Sequence, residues 1–306
     1  MKDKYKYSTS QLLNFAQDSY FERTSRPIYA IVFLLPFIIF YELGTILINT
    51  DVLNELQVRV VAFVWLQKLL ESLGFGGKFV WVAPPLAAIV ILIALQITSK
   101  KEWRFWPGDI PPMVIECTLL AVPLIVLTLF LSGSTGPQSD IAQFDTGVLR
   151  TQAERSRSPS LVGTNSLSSP TTEAGGTQTE SQSVWPSIVI GIGAGIYEEL
   201  VFRLILICVL MLLFQDVLGL SRKSSIILSV LISALLFSAH HHVDFLSGQA
   251  NAADPFTLGR FAFRTIAGIY LAVLFAIRGF GITAGTHAFY DIIATVINAV
   301  FFSRAM

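Results

Sequence analysis

Residues 184–213 read VWPSIVIGIGAGIYEELVFRLILICVLMLL, and their only charges, Glu198, Glu199 and Arg203, lie near the middle. About 20 apolar residues cross a bilayer as a helix. This run is longer than one untilted crossing needs, so it predicts a helix that is strongly tilted or broken near the two glutamates. A charged side chain at the centre of a spanning helix costs about 2.5–3.5 kcal/mol on insertion scales, so these three need partners or a purpose. Glu198 and Glu199 point about 100° apart on a helix and serve different directions. Glu199 and Arg203 stand four apart with the acid first, the favourable order for a pair on one helical face. Gly191 and Gly195 continue that stripe and let a neighbouring helix approach closely. Glu198 has no counter-ion in its own helix, the setting in which a buried carboxylate serves as a general base.

The rest of the chain agrees with a membrane setting. Of 306 residues, 53% are hydrophobic and 14% charged, against about 25% charged in soluble domains. A water-soluble enzyme, a disulfide scaffold, a coiled coil and a disordered chain are all excluded on that ground. The 21 basic and 21 acidic side chains cancel, so no global field recruits nucleic acid. Apolar runs at 28–49, 79–98, 112–132, 184–213, 225–246, 262–278 and 281–302 predict seven membrane helices. The stretch 53–73 mixes Arg59, Lys68 and Glu71 with Val, Phe, Trp and Leu, and reads as an interfacial amphipathic helix or an eighth span. The fold class is therefore an all-α, multi-pass transmembrane bundle of seven or eight spans.

The run at 28–49 is too long for the core of a cleavable signal peptide, which implies a retained helix. Lys2, Lys4, Lys6, Arg23 and Arg26 precede it. Lys100, Lys101 and Arg104 follow the second run, and Arg222 and Lys223 the fourth, which points to a cell-membrane protein with these ends and its N-terminus cytoplasmic. Residues 1–27 form the N-terminal segment and 28–132 the first group of helices. Between 133 and 183 stand ten Ser, eight Thr, six Gly, five Gln and three Pro among 51 residues, the composition of a disordered linker. Residues 184–302 form the second helical part. Cys117 and Cys208 sit inside apolar runs and read as small hydrophobes.

That second part holds two further polar clusters. Phe237 and His241 share a helical face, with His240 and His242 expected to point elsewhere. His287 and Asp291 stand four apart on another helix, where a carboxylate can orient an imidazole or support a metal beside it. Taken singly, a Glu–Arg pair can be structural, a His run at a helix end interfacial, and a His–Asp pair part of a transporter's proton relay. Three such clusters on successive helices favour a reaction centre.

Glu-Glu-x-x-x-Arg, Phe-x-x-x-His and His-x-x-x-Asp, in that order, resemble the CPBP family of type II CAAX prenyl endopeptidases and bacteriocin-processing or self-immunity proteins, over about residues 184–302. The resemblance implies a membrane-embedded endopeptidase acting on a membrane-bound peptide or protein. Glu198 and His241 would activate water, and His287 with Asp291 would stabilise the oxyanion. Glu199, Arg203 and Phe237 would be in support. It also admits two variants: Glu198, His241 and His287 could hold Zn²⁺ with a fourth position open, or the site works without metal. The prenyl endopeptidases carry Asn where this chain has Asp291. An ionised Asp cannot donate a hydrogen bond, which shifts Asp291 toward orienting His287 or supporting a metal. His241 late in its helix and His287 early in its own would differ by roughly 12 Å in depth. A non-catalytic scaffold or immunity protein of this fold, and a proton- or metal-coupled transporter, are the alternative functions.

Overall fold

The computed structural model describes residues 15–51, 59–75, 77, 80–132, 184–246, 248–251 and 254–302. The expected linker at 133–183 and residues 1–14 lie outside them. Eight helices follow a short opening turn of helix, α1 (Tyr20–Thr24): α2 (Pro27–Asp51), α3 (Val61–Ser72), α4 (Ala83–Ser99), α5 (Ile110–Ser132), α6 (Val184–Val217), α7 (Arg222–His242), α8 (Leu258–Arg278) and α9, α-helical over Phe280–Ile297. Among the described residues six are long and apolar enough to cross a membrane, namely α2, α5 with its preceding turn, and α6 to α9. Each of the seven expected apolar runs contains a helix, but the run at 225–246 leaves it after His242 and α4 has only 17 residues. The amphipathic stretch yields the 12-residue α3, about 18 Å long and too short to span.

α6 is neither broken nor regular. It is α-helical over Val184–Glu199 and π-helical over Leu200–Leu206, directly after the two glutamates. A π-helix widens the turn and frees backbone carbonyls, and it is found mostly at functional sites. Here Ser233 of α7 donates to the Phe202 carbonyl at 2.8 Å, which meets part of that need in a place water does not reach.

The core is continuous across the two sequence halves, joining Tyr29, Phe33 and Tyr41 of α2 and Cys117 of α5 to Ile190, Tyr197 and Leu200 of α6 and Ile282 of α9. Glycines set the closest approaches. A Cβ at Gly191 would lie 2.6 Å from the Asp291 side chain, and one at Gly195 would overlap the Ala288 backbone. The neighbour that the glycine stripe admits is thus α9, the helix carrying His287. Outward-facing Leu35, Ile39, Ile115, Leu119 and Val126 are exposed, a large apolar surface of the kind lipid covers.

One end of the bundle is fastened by ion pairs. Arg23 grips Asp109 with two nitrogens at 2.9 and 2.8 Å, and Arg278 grips Glu116 at 2.5 and 2.8 Å while also reaching Phe21 and Thr24 of α1. Burial, followed by the acceptor Glu116, pushes the Tyr20 phenol above its ordinary range. α8 therefore ends beside the chain's N-terminal helix. Because α7 runs back along α8, with Ser238 donating to Phe261 at 2.7 Å, His240–His242 lie at the opposite end of the bundle.

Candidate active site

Glu198, Glu199 and Arg203 are fully buried, and His240, His241, His242, His287 and Asp291 are at most 4% exposed. Adjacent on one helix, the two glutamates turn to different partners and divide the site into two tiers.

In the tier nearer the fastened end, Glu199 Oε1 pairs with the Arg203 guanidinium at 3.0 Å and accepts from His287 Nδ1 at 2.8 Å. The other ring nitrogen of His287 lies 3.7 Å from Asp291 Oδ2. The Arg203 guanidinium covers the Phe237 ring at 4.1 Å and donates to the Gly268 carbonyl at 3.4 Å. Phe237 is the partition between tiers, 6.0 Å from the His287 ring and 5.4 Å from the His241 ring. The depth difference anticipated between His241 and His287 is taken up here: His287 works at the level of Glu199 and Phe237, one turn of α7 below His241.

The second tier differs from the sequence expectation. His240 does not point away: its Nε2 lies 3.5 Å from Glu198 Oε1, and its ring packs 4.0 Å from that of His241. One ligand atom from each of Glu198, His240 and His241 lies within 4.8 Å of the other two. His287, expected in a metal set with Glu198 and His241, is not in this group and pairs with Glu199 instead. The cause is local. His240 and His241 occupy the last turn of α7, and the His240 Nδ1 contacts the Phe237 carbonyl, which turns Nε2 inward. The sequence signal for it is a second histidine beside the expected one, masked by the divergence of adjacent residues on a regular helix. His242 does face elsewhere, toward the Asp254 carbonyl at 3.2 Å, and Asp254 in turn pairs with Arg260 and Arg264. Asn251 donates to the His241 carbonyl at 2.9 Å and holds the end of α7 in place.

A buried polar atom without a hydrogen bond is costly. Both Glu198 oxygens and the Nε2 atoms of His240 and His241 have none among the described residues. With Nδ1–H donating to Phe237, His240 Nε2 presents a lone pair toward a carboxylate, and two acceptors are held together only by a proton, a water or a cation between them. Glu198, Glu199 and Asp291 set three buried carboxyl groups against the guanidinium of Arg203 in the same site, and burial makes uncompensated charge expensive. A carboxylate with two imidazoles, one donating its far N–H to a backbone carbonyl, is a donor set that suits a divalent transition metal such as zinc.

A second buried network steadies the helix just before the glutamates. Tyr197 donates to Glu42 Oε1 at 3.1 Å, and Arg59 reaches Glu42 Oε2 at 3.0 Å. The Tyr197 ring packs against Tyr41 and Phe63 at 5.5 and 5.0 Å. Glu42, Arg59 and Tyr197 were not singled out by sequence reasoning, because their partners lie on other elements.

Residues 180–293 match the family described as type II CAAX prenyl endopeptidase Rce1-like, and the match contains every residue of both tiers. No curated protein matches the chain, and no solved structure does.

Proposed function

We propose that this chain, whose residues 180–293 match the type II CAAX prenyl endopeptidase Rce1-like family, is an intramembrane endopeptidase that hydrolyses a membrane-associated peptide or protein with water activated by Glu198. The observation that carries the reading is the convergence of Glu198, His240 and His241, whose inward atoms have no hydrogen-bond partner. Glu198 takes a proton from the attacking water and delivers it to the amide nitrogen as the C–N bond breaks. His240 and His241 hold that water. With Glu198 they are also the residues that would hold a divalent metal, which when bound supplies Lewis-acid polarisation and makes water acidic enough to attack near neutral pH.

His287, oriented by Glu199 and Asp291, donates to the carbonyl oxygen as it gains negative charge, a contribution of a few kcal/mol where water is excluded. Arg203 offsets the charge of Glu199, and Glu199 in turn holds the His287 ring. With Arg23, Arg26, Lys100, Lys101, Arg222 and Lys223 on the cytoplasmic side of a cell membrane, the Glu198 tier lies toward the opposite face.

The test is cleavage of a library of membrane peptides, prenylated and unprenylated, by the detergent-solubilised protein with no gradient present. Cleavage supports the peptidase. PH- or metal-linked flux in vesicles without cleavage contradicts it in favour of a transporter.

A further inference from the structure

Hydrolysis brings a peptide and water to Glu198, yet Glu198, His240 and His241 are only 0, 3 and 2% exposed. The site must open, and a side chain that reaches the exterior while touching a buried member directly is a place where it can. Trp65 of α3 does both. Half-buried itself, it meets the His240 ring edge-on at 5.7 Å and the Phe202 ring at 6.1 Å. It is also stacked on Phe245 at 5.3 Å, with the rings 22° apart, and its Nε1 donates to Asp244 Oδ1 at 3.4 Å. Asp244 and Phe245 follow His242 almost directly, where α7 gives way to the short antiparallel pair Val243–Asp244 and Gln249–Ala250. α3 and this hairpin therefore meet over His240 through one ring stack and one long hydrogen bond.

Elsewhere the enclosure is firmer. The floor is helix backbone against helix backbone at Gly195 and Ala288, and the far end carries the two bidentate arginine pairs. An aromatic pair and a hydrogen bond near the limit of its range part more readily than packed helix backbones do.

We propose that the Trp65–Phe245 pair is the entrance to the site: substrate and water reach Glu198 when these two rings part. This rests on the peptidase reading, but its test needs no catalysis. The chain's four histidines are His240, His241, His242 and His287, all of them buried, so labelling by diethyl pyrocarbonate reports opening directly. Modification is followed residue by residue by mass spectrometry in purified wild type, Trp65→Ala and Phe245→Ala. Phe245 is 43% exposed, so its substitution keeps the test intact if Trp65→Ala fails to fold.

The expected result is labelling of His240 and His241 about tenfold faster in Phe245→Ala, the factor equivalent to ~1.4 kcal/mol, with His287 little changed. Equal rates in wild type and Phe245→Ala would overturn the proposal, as would all four histidines accelerating together, which signals general loosening. The same comparison in a Glu198→Gln background separates a failed entrance from a failed peptidase.

Discussion

His240 Nε2 stands 3.5 Å from Glu198 Oε1, its Nδ1 turned to the Phe237 carbonyl. On the proposed reading, that pairing makes His240 a member of the reaction centre beside His241. His240→Ala is expected to lower kcat by about 10²–10⁴-fold, the range for losing a positioned acid–base or water-holding group, and to match His241→Ala. His242→Ala, whose ring faces Asp254, is expected to cost far less. Steady-state kinetics on the three variants checks the order.

Metal binding separates the two tiers. Cobalt titrated into metal-free protein is expected to bind once per chain with a tetrahedral absorption spectrum. Glu198→Gln, His240→Ala and His241→Ala abolish that spectrum, and His287→Ala retains it, because His287 pairs with Glu199 and Asp291 rather than with the Glu198 group. Equal loss in His287→Ala would place that histidine among the ligands.

Arg203 is expected to matter for folding as much as for chemistry. It is fully buried beside Glu199, and removing one partner of such a pair destabilises by about 3–5 kcal/mol because the remaining charge is uncompensated. Arg203→Ala should therefore lower Tm sharply in detergent, and adding Glu199→Gln should restore part of the loss. Thermal unfolding of the single and double variants measures both.

Gly195→Ala is expected to cost about 1–3 kcal/mol, the usual penalty for overpacking, because the new Cβ meets the Ala288 backbone. It should also reduce activity by pushing α6, and with it Glu198, away from α9. Gly259→Ala, where a Cβ meets open space, serves as the control and should leave Tm and activity unchanged.

Much of this was legible in the residues. Uninterrupted apolar runs identify helices because a bilayer rewards nothing else, and charges inside them stand out for the same reason. The Glu199–Arg203 spacing and the Gly191/Gly195 stripe are local properties of one helix, so they could be read without a partner. His240 could not. Its direction depends on a ring rotation at the last turn of α7 and on a glutamate arriving from α6. The π-helical turn after Glu199 was equally hidden, since Leu-Val-Phe-Arg-Leu-Ile-Leu has no feature that distinguishes it from an ordinary helix. The Glu42–Tyr197 hydrogen bond and the Trp65–Phe245 stack join residues more than a hundred positions apart, a separation that pattern reading along one element does not bridge.

The most direct measurement compares wild type with Glu198→Gln, which keeps the side chain's size and removes its basicity. Both are purified in detergent, checked for equal Tm, and assayed on one cleaved membrane peptide with and without a strong chelator. The account predicts that cleavage by Glu198→Gln falls at least about 10²-fold, whatever the chelator does to the wild type. Equal cleavage by the two proteins would contradict it and remove Glu198 from the chemistry.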